Sequence, residues 1–363
     1  MLIGIDASRA TVARRTGTEN YTRRLIQALL DQAAPSHTLR LYFRDTPTPD
    51  ALAGGERRVI PFPRLWTHVR LSWELLTRPR PDVLFIPAHV LPLLHPVPTV
   101  VTLHDLGYRY FPEAHPPAQR WYLDRSTRFS AHAASRVIAD SFCTRADLVR
   151  FYNIPADKIA VVYPGRDESL RRIDPAPVRA KYNLPENYIL HVGTLQPRKN
   201  LIRLINAAQS AFSLQPSAFN LVLAGRPGWL SEPILAAARE HAEVVRLLDY
   251  VADEDLAGLY SGALAFVFPS LYEGFGFPVL EAMACRTPVI CSNTSSLPEV
   301  AGEAALLLDP TDTASLAAAI QRVIAEPGLR AELVEKGLTQ VQKFSWAKAA
   351  RETLAVLEEA AST

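Results

Sequence analysis

Cysteine is scarce: only Cys143, Cys285 and Cys291 occur in 363 residues. Three scattered thiols build neither a disulfide framework nor a closely spaced metal site, so a reduced, cytoplasmic setting is the expectation. The nine histidines never form H-E-x-x-H, and with no zinc spacing among the cysteines no metal site is expected. No run of eighteen uncharged apolar residues is present, which argues against a membrane-spanning helix. The opening MLIGIDAS has no basic segment ahead of an apolar run and reads as a first strand rather than a signal peptide. Net charge is also small, +2. With no aromatic-and-basic RNA motif either, nucleic acid is not an expected partner.

What is there is ordinary for a folded soluble protein, 48% apolar and 21% charged, and the length suits two domains of about 150 to 200 residues each. The near-neutral balance hides an asymmetry. Residues 1–170 carry 22 Lys+Arg against 16 Asp+Glu, and the remainder 17 against 21, so the front half is the one suited to an anionic partner.

Short apolar runs alternate with longer helical patterns throughout. LIGIDA (2–7), HTLRLYF (37–43), PDVLFIPA (81–88), TVVTLHD (99–105) and SRVIADS (135–141) read as strands. Tyr21, Leu25, Ile26 and Leu29 recur at helical spacing behind Gly17, with Thr18 as the expected N-cap, and a long helix is expected over 117–134. The proline-bearing stretch 161–188 is the expected linker, after which the alternation restarts. Strands are expected at 188–194, 219–227, 244–251, 263–270, 287–293 and 305–310, and helices near 199–212, 231–241, 253–261 and 278–285. This periodicity predicts an α/β chain of two doubly wound, parallel-sheet domains, 1–168 and 169–343, with ligands beyond the carboxyl ends of the strands and the space between the domains as the default site. A last helix, within 344–363, is open to pack on either domain.

Chemistry-bearing residues cluster at the expected strand ends. In HVGTLQPRKN, Gly193 ends a strand and Arg198 and Lys199 open a helix. Adjacent cations beside helix-terminal N–H groups suit a diphosphate, although such a pair also serves as a solvated cap. Gly225 and Arg226 end another strand in AGRP, a weaker signal because glycines commonly end strands. In LYEGFGFPVLEAMAC (271–285), Gly274 and Gly276 allow close backbone approach and Pro278 suits a first helical position. That places Glu273 in a loop and Glu281 in the first turn or so of the helix. Dipole complementation alone accounts for Glu281 but leaves the glycines unexplained. In the front half, TLHD sets His104 and Asp105 at a strand end, where a structural histidine is the plain alternative. RRVIPFPRLWTHVRLSWELLTRPRPD (57–82) interleaves six arginines with Trp66 and Trp73. It suits an anionic membrane interface, or equally an amphipathic helix packed on its own domain.

Taken in order, these segments resemble the retaining GT-B glycosyltransferases of family 4, and among them bacterial mannosyltransferases. The resemblance covers nearly the whole chain: IGIDA and GTENYTRRL, TLHD, VIADSFCTRADLVRFYNIPADKIAVVYPGRD, HVGTLQPRKNL, the two glutamates of 271–285, and SLPEVAGEAALLLDP. It implies two Rossmann-like domains facing each other across a cleft, and transfer of a hexose from a nucleotide diphosphate sugar to an acceptor hydroxyl, without a cofactor. Arg198 and Lys199 would hold the diphosphate, Glu281 the donor ribose, and Glu273 the hydroxyls of the transferred sugar. Backbone groups of Gly274, Phe275, Gly276, Phe277, Pro278 and Val279 would line sugar and phosphates, with Gly193, Gly225 and Arg226 beside them. Gly17 would let its loop approach the diphosphate, and His104 would touch the donor sugar near the acceptor. Here Gly17 is followed by Thr18, Glu19 and Asn20 where many relatives carry a second glycine. HDLGYRYFPE favours GDP-mannose as donor, with UDP-glucose and other UDP-sugars open, and a glycan or lipid-linked acceptor. Retention would proceed by same-face attack with the leaving phosphate as base, so Glu273 would not be a glycosidase-like nucleophile. A phosphate-using phosphorylase and a non-catalytic nucleotide or polyanion binder are the competing readings. A cytoplasmic enzyme, peripheral at the inner face of the plasma membrane if 57–82 touches lipid, completes the expectation.

Overall fold

The computed structural model describes every residue except 13–16, 34–35, 49–51, 214–217 and 363. Among the described residues, thirteen strands form two sheets in which every pairing is parallel. The first contains β1 (Leu2–Asp6), β2 (Thr38–Phe43), β3 (Glu56–Val59), β4 (Val83–Ile86), β5 (Thr99–Leu103), β6 (Arg136–Ala139) and β7 (Ile159–Val161), in the order β3-β2-β1-β4-β5-β6-β7. The second contains β8 (Tyr188–Val192), β9 (Asn220–Ala224), β10 (Val245–Leu248), β11 (Ala265–Phe268), β12 (Val289–Ser292) and β13 (Ala305–Leu308), in the order β10-β9-β8-β11-β12-β13. Parallel strands covered by helices on both faces must be apolar throughout, and β4, β5, β11 and β12 are buried at every position.

In both sheets the order reverses once, between β1 and β4 and between β8 and β11. There the connections leave on opposite faces and open a crevice at the strands' carboxyl ends, the site where doubly wound folds receive ligands. β1 delivers Asp6 to the first such point, and β8 delivers Gly193 to the second.

The chain divides into two compact units. One comprises Met1–Arg109, Pro117–Gly165 and Phe344–Thr363, the other Tyr110–Pro116 and Arg166–Lys343. Tyr110 groups with the second unit by stacking on Tyr272, ring centroids 4.8 Å apart. The final helix, Trp346–Ala361, belongs to the first. Ser345 caps it by accepting from the Lys348 N–H, and its buried stripe includes Ala349, Ala350, Thr353 and Leu357. It packs on the helix Gly17–Gln32, and Gln32 Nε2 donates to the Ala347 carbonyl at 2.9 Å. That first helix is already under way at Gly17, so Thr18 lies in its first turn and is not the expected N-cap.

Candidate active site

In the second unit the chain leaves β8 at Gly193 and turns through a single 3-10 turn, Pro197–Lys199, into the helix Leu201–Phe212. Asn200, in the left-handed region at φ 61°, makes the join and donates through Nδ2 to the carbonyls of Pro269 (3.1 Å) and Pro310 (2.7 Å). The turn therefore holds Arg198 and Lys199 against the loop that follows β11. Leu271 N–H bonds the Arg198 carbonyl at 2.9 Å, and Arg198 Nη1 donates to the Tyr272 carbonyl.

These restraints converge on Glu273. Lys199 Nζ lies 2.6 Å from Glu273 Oε1 and Arg198 Nη1 2.8 Å from Oε2, and the carboxylate and the ammonium are both buried. Burial alone would raise the Glu273 pKa, but the two cations outweigh it and hold the group at about 2. Lys199 Nζ also sits 4.5 Å from the centre of the Phe268 ring. Beside it, His191 stacks on Phe268 and donates from Nδ1 to the Val267 carbonyl at 3.0 Å. Burial first, then Lys199, lowers His191 to about 4, so the ring is neutral at pH 7 and Nε2 carries a lone pair. That nitrogen is buried and has no hydrogen-bond partner among the described residues.

The glycines act by allowing contact. Gly193 and Gly225 sit at φ 151° and 152°, and a Cβ on Gly225 would lie 2.0 Å from the Gly193 carbonyl oxygen. The two strand ends thus extend side by side, with Leu195 N–H on the Arg226 carbonyl at 2.9 Å. Arg226 is exposed, its guanidinium 4.3 Å from the centre of the Tyr250 ring. Gly274 lies half-buried in the β11 loop. Gly276, at φ 117°, starts the helix Phe277–Ala284, and a Cβ there would meet Leu297 Cδ2 at 2.8 Å.

Two details differ from the sequence expectation. Pro278 is the second helical residue, after Phe277, and Glu281 the fifth, so Glu281 sits a turn into the helix. There it accepts from the Tyr260 hydroxyl at 2.8 Å. Nor can the whole run from Phe275 to Val279 offer backbone donors: Pro278 has no N–H, and that of Val279 is bonded to the Gly276 carbonyl at 3.0 Å. Phe275 is buried against Phe277, centroids 5.0 Å apart.

The first unit assembles a separate group. His104 Nδ1 is 2.6 Å from Asp140 Oδ2, and Nε2 donates to the Pro87 carbonyl at 3.1 Å. Burial lowers the imidazole's pKa, but Asp140 opposes it and the net shift is upward. Tyr21 packs edge-on at 4.6 Å and His89 at 5.0 Å. Burial, then the charge of His104, brings His89 down to about 3. His89 sits at φ 41° in the loop beyond β4, at the switch point where Asp6 ends β1. Asp105 Oδ1 instead accepts from Gly107 N–H at 2.8 Å and caps its own turn. Gly17 opens its helix exposed, with nothing among the described residues within 4 Å of an added Cβ.

Sequence reasoning named Arg198, Lys199 and Glu273, and these meet; Glu281 meets Tyr260 instead. It missed Asp6, His89, Asp140, His191 and Tyr260. Asp6, His89 and Asp140 lay at or just beyond expected strand ends and could have been found there, whereas His191 and Tyr260 are single polar residues in apolar surroundings.

An architecture of two doubly wound, parallel-sheet units is shared with known proteins. The description "Glycosyl transferases group 1" matches residues 176–340, and "Glycosyltransferase Family 4" matches residues 15–170. The O-antigen chain mannosyltransferase B of Escherichia coli is 37% identical over 70% of this chain and 68% of its own length. The chain belongs to the glycosyltransferases. This glycosyltransferase is also 31% identical to the O-antigen chain mannosyltransferase RfbU of Salmonella typhimurium over 65% of its length, spanning 63% of that relative. Its fold is that of the sucrose-phosphate synthase of Thermosynechococcus elongatus, with a TM-score of 0.76 over 99% of this chain and 98% of the other at 24% identity. Its fold class is therefore GT-B, two Rossmann-like units, and it is an enzyme of glycosyl transfer. Among the described residues, no group of three or more His, Cys, Asp or Glu is placed to hold a metal ion, and no helix is long and apolar enough to cross a membrane.

Proposed function

We propose that this glycosyltransferase moves a hexose, mannose by preference, from a nucleotide diphosphate sugar to a hydroxyl of a glycan or lipid-linked acceptor, with retention at the anomeric carbon. One observation carries the reading: Arg198 and Lys199 stand together at the carboxyl end of the central strand β8, fixed on the Glu273 carboxylate. Glu273 offsets one of the two positive charges and orients both. A net positive, pre-positioned pair suits a leaving diphosphate whose charge grows as the glycosidic bond breaks, so its value lies mainly in the transition state. Because each Glu273 oxygen faces a cation, the geometry favours an orienting carboxylate over a nucleophile, in keeping with same-face attack assisted by the leaving phosphate. Mannose is preferred because the relatives at 37% and 31% identity are both named mannosyltransferases, and GDP because of the resemblance carried by HDLGYRYFPE.

Thermal shift with GDP-, UDP- and ADP-sugars, followed by acceptor-dependent release of nucleoside diphosphate, tests the proposal. GDP-mannose should stabilise the protein most, and Arg198→Ala or Lys199→Ala should lower turnover by about 10². Stabilisation by UDP-glucose alone would reassign the donor. Turnover requiring inorganic phosphate in place of any nucleotide sugar would overturn the reaction class, and a uniform absence of stabilisation would remove the reading altogether.

A further inference from the structure

The first unit carries an exposed apolar surface with a predominantly basic rim that glycosyl transfer does not use. It begins in 57–82. Leu65 stands exposed at φ 53°, in the left-handed region that a leucine rarely adopts, and starts a π-helical turn, Trp66–Leu71. Trp66 points inward, its Nε1 bonded to the Ile60 carbonyl at 2.7 Å. The next helix, Ser72–Thr77, points Trp73 outward, and a groove of about 760 Å³ opens between it and the exposed Leu93 and Leu94.

The patch continues onto the helix Pro117–Ala133, tied to it by His68 Nε2 at 3.1 Å from the Tyr122 hydroxyl. One exposed stripe of that helix, spaced four, three and one residues apart, reads Trp121, Arg125, Arg128, Phe129. A water-facing stripe needs neither a tryptophan nor a phenylalanine.

The exposed charge is predominantly basic. Arg64 and Arg78 are exposed around the first segment. Its acids are committed elsewhere: Glu74 is buried between Arg58 (2.9 Å) and Arg70 (3.0 Å), and Asp82 accepts from Leu2 N–H at 2.7 Å. The sole acid of the longer helix, Asp124, pairs with Arg109 at 3.0 Å. Aromatic side chains that partition to an interface, ringed by exposed arginines that outnumber the acids, with Asp82 and Asp124 each already hydrogen-bonded, complement an anionic bilayer and not an apolar protein groove. We infer that this face docks the enzyme on the surface of an anionic phospholipid membrane, Trp73 and Trp121 entering the headgroup region and the arginines meeting lipid phosphates.

The test is sedimentation of the full chain with vesicles of phosphatidylcholine alone or mixed with phosphatidylglycerol. Binding is expected to the anionic vesicles only, weakening with salt. Arg64→Glu combined with Arg128→Glu should reduce it at least tenfold, at about fivefold per basic side chain removed, and Trp73→Ser with Trp121→Ser by about tenfold or more. Unchanged melting and unchanged transfer to a soluble acceptor would show that the variants fold. Quenching of wild-type tryptophan emission by brominated acyl chains reads the same contact without any variant. Wild-type protein left in the supernatant, variants that sediment like wild type, or absence of quenching would each overturn the inference. Because no residue of the Glu273 site takes part, failure of the donor reading would leave this result standing.

Discussion

At the residue scale, Glu273 is where charge and stability meet. Its pKa of about 2 against an ordinary 4.5 means that the folded form holds its proton more weakly than the unfolded chain. The stabilisation is therefore complete above pH 4.5 and lost as pH falls from there through about 2. It amounts to about 3 kcal/mol from the linkage of roughly 1.4 kcal/mol per unit. Glu273→Gln forfeits it and leaves the buried Lys199 beside Arg198 uncompensated, a loss of about 3 to 5 kcal/mol near neutrality. Urea unfolding at pH 7 and pH 3 should show the gap between wild type and variant narrowing in acid; a constant gap would contradict the pairing. A second expectation concerns His104. With Asp140→Asn, burial becomes the dominant influence, so the imidazole should titrate lower than in wild type, readable in its ring nitrogen chemical shifts. Arg198, Lys199 and Glu273 were legible in sequence because each abuts an apolar strand with turn residues around it. That the carboxylate would grip both cations was not legible, since the partners are more than seventy positions apart and only the parallel pairing of β8 with β11 brings them together. His191 was invisible for a simpler reason: a lone polar residue in a buried strand reads like any tolerated core substitution.

At the element scale, two glycines give opposite predictions although both lie in turns flagged from sequence. Gly225→Ala would put a methyl 2.0 Å from the Gly193 oxygen at φ 152°, with backbone neighbours that cannot step aside, and should cost about 2 to 4 kcal/mol. Gly17→Ala meets nothing among the described residues within 4 Å and replaces glycine by a better helix former, so melting should hold steady or rise slightly. If its turnover with donor nonetheless falls about tenfold or more, the missing space is space for a ligand, and unaltered turnover would retire Gly17 from the site. The central strands were legible because a buried parallel strand is an unbroken apolar run, as in VLFI and AFVF. β3, ERRV, was not. It is an edge strand paired only with β2 and three of its four residues are exposed, so neither continuous apolarity nor clean alternation marks it. The short β7 was missed as well: it has only three residues, of which Ile159 alone is buried, and it ends where the expected linker begins.

At the scale of the whole molecule, the chain passes between its two units four times, after Arg109, Pro116, Gly165 and Lys343. Sequence periodicity locates elements but not such returns, because the stacking of Tyr110 on Tyr272 and the docking of the last helix depend on long-range packing. The return of the last helix has a consequence that separates the two units. Trp346 lies edge-on to Tyr21 at 5.8 Å, and a Cβ on Gly165 would fall 2.2 Å from the Trp346 nitrogen, so the two surfaces were shaped against each other. Ala350, Thr353 and Leu357 are fully buried. Ending the chain after Lys343 uncovers that face, and at about 1.5 to 3 kcal/mol for each large apolar side chain the loss is comparable to the whole stability of an ordinary domain, about 5 to 15 kcal/mol. The core of the second unit, by contrast, runs from Ile189 to Leu333 and takes nothing from the last helix. Limited proteolysis with mass spectrometry should therefore find, in the truncated chain, rapid loss of the front half and a resistant fragment beginning near residue 166. The full chain should resist at both ends of that boundary. Equal survival of the two units after truncation would show that the last helix decorates the first unit without completing it.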